Sequence, residues 1–139
     1  MNDGLERFKI KQQVYHEYAI KELENGKKES HWMWFIFPQI FGLGFSEISL
    51  YYSIKNIEEA HDYINDNYLM ENYLELCNVL LKLKTNNPID VFGSVDAIKL
   101  KSSLTLFYVV SENKTIKQVL DKFFNGELDS NTLKLLNRM

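Results

Sequence analysis

Met70-Glu71-Asn72-Tyr73-Leu74-Glu75-Leu76-Cys77-Asn78-Val79-Leu80-Leu81-Lys82-Leu83 is the stretch that decides the fold class. Tyr73, Leu74, Cys77, Leu80 and Leu81 recur three and four residues apart, which puts them on one side of a helix. No apolar run in the chain alternates with the period of two that a half-buried strand requires. Asn86, Asn87 and Pro88 are expected to break this helix.

The same period extends to both sides. Leu5, Phe8, Tyr15, Ala19 and Leu23 predict a long first helix from about Asp3 to Asn25, stopped by Gly26. Ser46 is a good N-cap for a short helix to about Ser53. Asn56 followed by Glu59 has the spacing of a capping box, opening a helix over Ile57 to Asn65. A turn over Val91 to Gly93 leads to Ser94, which caps a helix from Val95 to Val110. Ile116, Val119, Leu120, Phe123 and Phe124 mark the next helix, and Asp129 or Ser130 caps a last one through Leu136. Leu104 to Val110, rich in β-branched and aromatic residues, is the segment that would also suit a buried strand. The expectation is an all-α fold: a compact bundle of about seven short helices with an irregular aromatic loop, forming a single domain over residues 1–139.

Composition bounds the function. A chain of 139 residues buries enough surface for one core without a disulfide or metal staple. Nine Phe, eight Tyr and two Trp supply much of that core. A net charge of −3, with only Arg7 and Arg138 as arginines, argues against nucleic acid as a partner. Cys77 stands alone, the segment Met1 to Ile10 lacks the apolar run of a signal peptide, and no stretch is apolar enough to span a membrane. The expectation is a cytoplasmic protein without membrane contact. His16, His31 and His61 are scattered and show no metal-ligand spacing, so neither metal nor cofactor is expected.

Ser30-His31-Trp32-Met33-Trp34-Phe35-Ile36-Phe37-Pro38-Gln39, followed by Gly42-Leu43-Gly44, breaks the helical pattern. It reads as a short helical turn and then an irregular loop against the core, since Pro38 disfavours a helix through Gln39. This block resembles the signature of a bacterial family catalogued as domain of unknown function 1810, which genome annotation sometimes labels "calpastatin". Leu5-Glu6-Arg7-Phe8 with Gln12, Phe92-Gly93-Ser94 with Asp96, Lys99 to Phe107, and Val119 to Gly126 agree with it, so the resemblance covers nearly the whole chain. It implies a compact, mainly helical domain and no established activity.

Within these segments His31 is the candidate catalytic residue, because imidazole titrates near neutral pH and serves as acid or base. The bland alternative is a histidine that orients the loop. Trp34 offers a ring on which a flat ligand can stack, or else packs in the core. On a helical turn Trp32 and Trp34 point to different sides, so at most one lines a given pocket. Ser30 opens the block, and Gln39, in the loop after Pro38, both donates and accepts. Lys99 and Ser103 share one side of a helix beside the Leu100, Leu104, Phe107 stripe. Their alternative role is close helix packing. Gln12 interrupts the apolar stripe of the first helix, and a buried Gln must be hydrogen-bonded, to a ligand or within a structural network.

Two functions follow. Gln12, Ser30, Trp34, Gln39, Lys99 and Ser103 would bind a small, flat, polar ligand of the nucleotide or ADP-ribose class, with His31 contributing if hydrolysis occurs. Alternatively, Trp32 to Phe45 forms an exposed apolar patch for a protein partner. Burial of Trp32, Phe35 and Phe37 within the monomer would remove that surface.

Overall fold

The computed structural model describes residues 4–139, and eight helices account for most of them. They are α1 (Glu6–Glu24), α2 (Met33–Ile36), α3 (Glu47–Tyr51), α4 (Ile57–Asn65), α5 (Asn67–Lys82), α6 (Pro88–Ser111), α7 (Lys114–Phe124) and α8 (Ser130–Asn137). Asp3, the expected start of the first helix, lies outside the described residues. Among the described residues the only β-type pairing is an isolated parallel bridge between Ile40 and Ile54. Leu104 to Val110 is helical, with Leu104, Leu106 and Phe107 fully buried.

Several boundaries follow from side-chain caps. The Asp66 carboxylate accepts from the Leu69 N–H at 3.0 Å, so α5 starts at Asn67 rather than at Met70. Asn87 and Pro88 do not merely break the chain. The Asn87 side chain accepts from the Ile89 N–H at 2.9 Å, and Pro88 occupies the first turn of α6, where its missing N–H costs nothing. Gly93 (φ 78°, ψ 167°) interrupts α6, and the helix resumes at Ser94. Asn113 opens α7 by accepting from Thr115 and Ile116. The C-terminal end of α5 is closed from outside by Lys122, whose ammonium donates to the carbonyls of Leu80, Leu81 and Leu83.

α5 packs against α1, α4 and α7, and α6 packs against α4, α7 and α8. Rings knit the layers together. Phe8 meets Tyr63 edge-on at 5.4 Å, Tyr63 and Tyr73 both contact Phe107 (4.8 and 5.1 Å), and Phe37 joins Tyr73 at 5.3 Å. Trp32 extends the chain of rings through Phe37 and Phe92.

Three polar side chains of α1 enter this core, and one of them, His16, meets the Glu75 carboxylate at 2.7 Å. Gln12 donates to the Phe35 carbonyl (2.9 Å) and the Tyr63 hydroxyl (3.1 Å) and accepts from Asn72 (3.1 Å), joining α1, α2, α4 and α5. Arg7, only 2% exposed, grips both oxygens of Glu59 (2.7 and 3.1 Å) and donates to the carbonyls of Tyr51 and Ser53, each at 2.8 Å. Its guanidinium also lies 4.3 Å from the Phe8 ring centre. Every contact uses the fork geometry that Lys lacks. Arg7→Ala leaves the Glu59 carboxylate without its buried partner and is expected to cost about 3–5 kcal/mol in urea denaturation. A loss below about 1 kcal/mol would place this pair among ordinary surface ion pairs.

Candidate functional site

The aromatic segment is held from below by one carboxylate. Glu22 of α1 accepts the N–H groups of Glu29 (2.7 Å) and Ser30 (2.8 Å), the Ser30 hydroxyl (2.6 Å) and the Trp32 indole N–H (3.0 Å). Burial by itself raises the Glu22 carboxyl, but these hydrogen bonds outweigh it and hold the group below its ordinary value. Lys28 secures the same turn, donating to the Ser30 carbonyl at 2.6 Å. With the turn fixed, Trp32, Met33, Phe35, Ile36 and Phe37 are buried, and Trp34 is the ring left half-buried.

Trp34 forms a wall of a cleft of about 510 Å³. The motif loop contributes Gln39, Leu43 and Phe45, and the region of α3 adds Ser49, Tyr52 and Ser53. The opposite wall is one face of α6, where Val95, Ile98, Lys99 and Ser102 stand at helical spacing, and the start of α8 adds Asp129 and Asn131. The Lys99 ammonium lies 4.7 Å from the Trp34 ring centre. Its nearest carboxylate is Asp96, at 3.5 Å. Asp96 is itself held more closely by the largely buried Lys28, at 2.9 Å. Lys28, Asp96 and Lys99 therefore sum to one positive charge, and the cleft side of the trio carries it.

The sequence candidates divide into three groups. Trp34, Gln39 and Lys99 meet in the cleft. Gln12, Ser30 and Ser103 have internal partners elsewhere: Gln12 joins the core helices, Ser30 bonds Glu22, and Ser103 lies 2.9 Å from the Tyr73 hydroxyl. His31 is exposed in the turn before α2 and does not line the cleft. On α6 the lining hydroxyl is that of Ser102. Ser103, one residue and about 100° further round the helix, turns into the core. The sequence reading grouped Ser102 with Lys99, Ser103 and Thr105 but took Ser103 as the site residue, and it missed Asp96, Asp129 and Asn131 as site residues. The only signal for the α6 face was the spacing of Val95, Ile98, Lys99 and Ser102, which mixes apolar and polar types.

The Cys77 thiol is fully buried, and burial pushes it far above its ordinary value, which leaves it unreactive. No cluster of three His, Cys, Asp or Glu side chains suited to a metal occurs among the described residues.

A family model described as "Protein of unknown function (DUF1810)" matches residues 2–136. The chain belongs to the DUF1810 family. It is also similar to a solved structure, that of the conserved hypothetical protein Rv1873 from Mycobacterium tuberculosis. That likeness has 34% identity, 96% coverage of each chain and a TM-score of 0.92. Among curated proteins, none matches the chain. Members of DUF1810 carry no assigned activity in that description, so a functional reading of this chain rests on its own cleft.

The Glu22 clamp has a measurable signature. Glu22→Gln cannot accept all four donors and is expected to lower stability at pH 7 by about 1.5–3 kcal/mol. A carboxyl held low when folded stabilises fully above its unfolded value, ordinarily 4.5, and less as pH falls through its folded value. The gap between wild type and Glu22→Gln should therefore be widest at neutral pH and close in acid. A gap that does not change with pH would assign the loss to packing instead.

Proposed function

We propose that the cleft binds a small planar anion of the nucleotide or ADP-ribose class. The observation that carries this reading is the Lys99 ammonium resting over the Trp34 ring inside the cleft, with the neighbouring Asp96 already matched by Lys28. A cation over an accessible ring is worth about 0.5–1 kcal/mol. A hydrogen bond from that ammonium to an anionic oxygen is worth about 1.5–3 kcal/mol. An anion therefore draws Lys99 off the indole, and the freed face of Trp34 accepts a flat ring. The cleft volume lies within the usual range for small-molecule sites, roughly 300–1,000 Å³. The amides of Gln39 and Asn131 line it, and an amide can both donate to and accept from a polar ligand edge. The exposure of His31 outside the cleft favours binding over hydrolysis as the reading.

A protein-interaction module is the competing reading. Trp32, Phe35 and Phe37 are 0%, 3% and 0% exposed, so the rings expected to form such a patch are covered within the monomer.

Thermal unfolding with nucleotides, ADP-ribose and NAD tests the proposal. A ligand at about 100 times its dissociation constant adds about 2.7 kcal/mol, a shift of several degrees for a domain of this size. The shift should vanish in Trp34→Ala and in Lys99→Gln, and shrink with added salt. No shift with any of these compounds would overturn the proposal and return weight to a protein partner.

A further inference from the structure

The cleft has a floor, walls and a rim of different chemistry. The floor, with Ile40, Ser53 and Ser102, is buried, and the walls carry Trp34, Lys99 and Gln39. The rim is apolar and open to water: Phe45 is 83% exposed on one side, and Val95 and Ile98 are 66% and 65% exposed on the other.

Phe45 is not exposed because its loop is loose. The loop is tied at one end by the Ile40–Ile54 bridge, where the Phe41 N–H donates to the Ile54 carbonyl and the Ile54 N–H to the Gln39 carbonyl, both at 2.8 Å. At the other end Ser46 caps α3. Between them a Cβ at Gly42 would stand 3.0 Å from the Leu135 side chain, and one at Gly44 would stand 2.8 Å from the Ser49 hydroxyl. The backbone is thus pressed against α8 and α3, and it presents Phe45 in a fixed place. Val95 and Ile98 are equally fixed, one turn apart on α6.

Three side chains are far fewer than the roughly 20–30 residues per side of a stable protein interface. They are, however, continuous with the cleft that holds Lys99. We propose that the rim receives an apolar group attached to the anion bound below, so that the ligand is an aryl or acyl conjugate of a planar anion rather than a bare mononucleotide. This rests on the cleft binding an anion at Lys99. It adds that Phe45, Val95 and Ile98 determine which anions are kept.

Anilinonaphthalene sulfonate has the three required parts: an anionic sulfonate, a fused planar ring and a projecting phenyl group. Naphthalene sulfonate lacks the phenyl. Both are titrated against wild type, Phe45→Ser, Ile98→Ser and Lys99→Gln by calorimetry. The rim residues are exposed, so their variants keep the fold. The anilino compound is expected to bind with one-to-one stoichiometry, about tenfold tighter than naphthalene sulfonate. Phe45→Ser and Ile98→Ser should erase most of that difference, weakening the anilino compound far more than naphthalene sulfonate. Lys99→Gln should weaken both compounds by about tenfold. Equal affinities with silent rim variants, while Lys99→Gln still weakens both, would overturn the conjugate and leave the anion cleft standing. Insensitivity of both compounds to Lys99→Gln, or no saturable binding of either, would overturn the conjugate and the anion reading together.

Discussion

Glu22 accepts four hydrogen bonds, and the geometry of the cleft depends on it. A segment as apolar as Trp32 to Phe37 gains by burial, but only one turn of it is helical, so its flanking backbone groups need partners from elsewhere. Glu22 supplies them on the N-terminal side, Lys28 takes the Ser30 carbonyl, and Gln12 takes the Phe35 carbonyl from beneath. Once Trp32 is fixed by its indole N–H and Phe35 by the core, the intervening Trp34 has no course but outward. The half-buried ring follows from how tightly its neighbours are buried.

Charge is distributed by the same economy of partners. Lys28 serves the Ser30 carbonyl, the Trp32 ring at 5.0 Å and the Asp96 carboxylate. Because Lys28 carries Asp96, Lys99 is left with a long contact and an aromatic face. The motif segment and the start of α6 are bound through this trio, which places the cation of one against the indole of the other. Lys28 also donates its N–H to the Val91 carbonyl at 2.7 Å, fixing the approach to the Gly93 break.

The helical character was legible in the sequence because the apolar period is strong in α4, α5 and α7, and period is what sequence shows best. The caps at Asp66, Asn87 and Asn113 were harder to read, since each is an ordinary polar residue until the N–H it accepts is known. Arg7 was illegible as a buried residue, because an arginine near the chain start reads as solvated, and its burial is tolerable through Glu59, fifty-two positions on, and the Tyr51 and Ser53 carbonyls. In the candidate site, Trp34, Gln39 and Lys99 stood out as local anomalies, and they share the cleft. Asp129 and Asn131 reach it from far downstream of the motif loop, which no local pattern records. Ser102 and Ser103 differ by one step along α6, and periodicity read from the stripe alone chose the residue that faces the core.

The long reach of Gln12 bears on how the chain is made. Its partner Asn72 is sixty residues downstream, and the carboxylate of Glu75 that meets His16 is fifty-nine residues on. During synthesis α1 emerges well before α5 exists to cover it, an interval of roughly 3–12 s at ordinary elongation rates. A purely apolar inner face would be exposed to aggregation throughout that time. Arg7, Gln12 and His16 instead interrupt it with groups that water satisfies until Glu59, Asn72 and Glu75 arrive. The polar residues that tie the finished bundle together thereby also keep its first helix soluble while it waits for a partner.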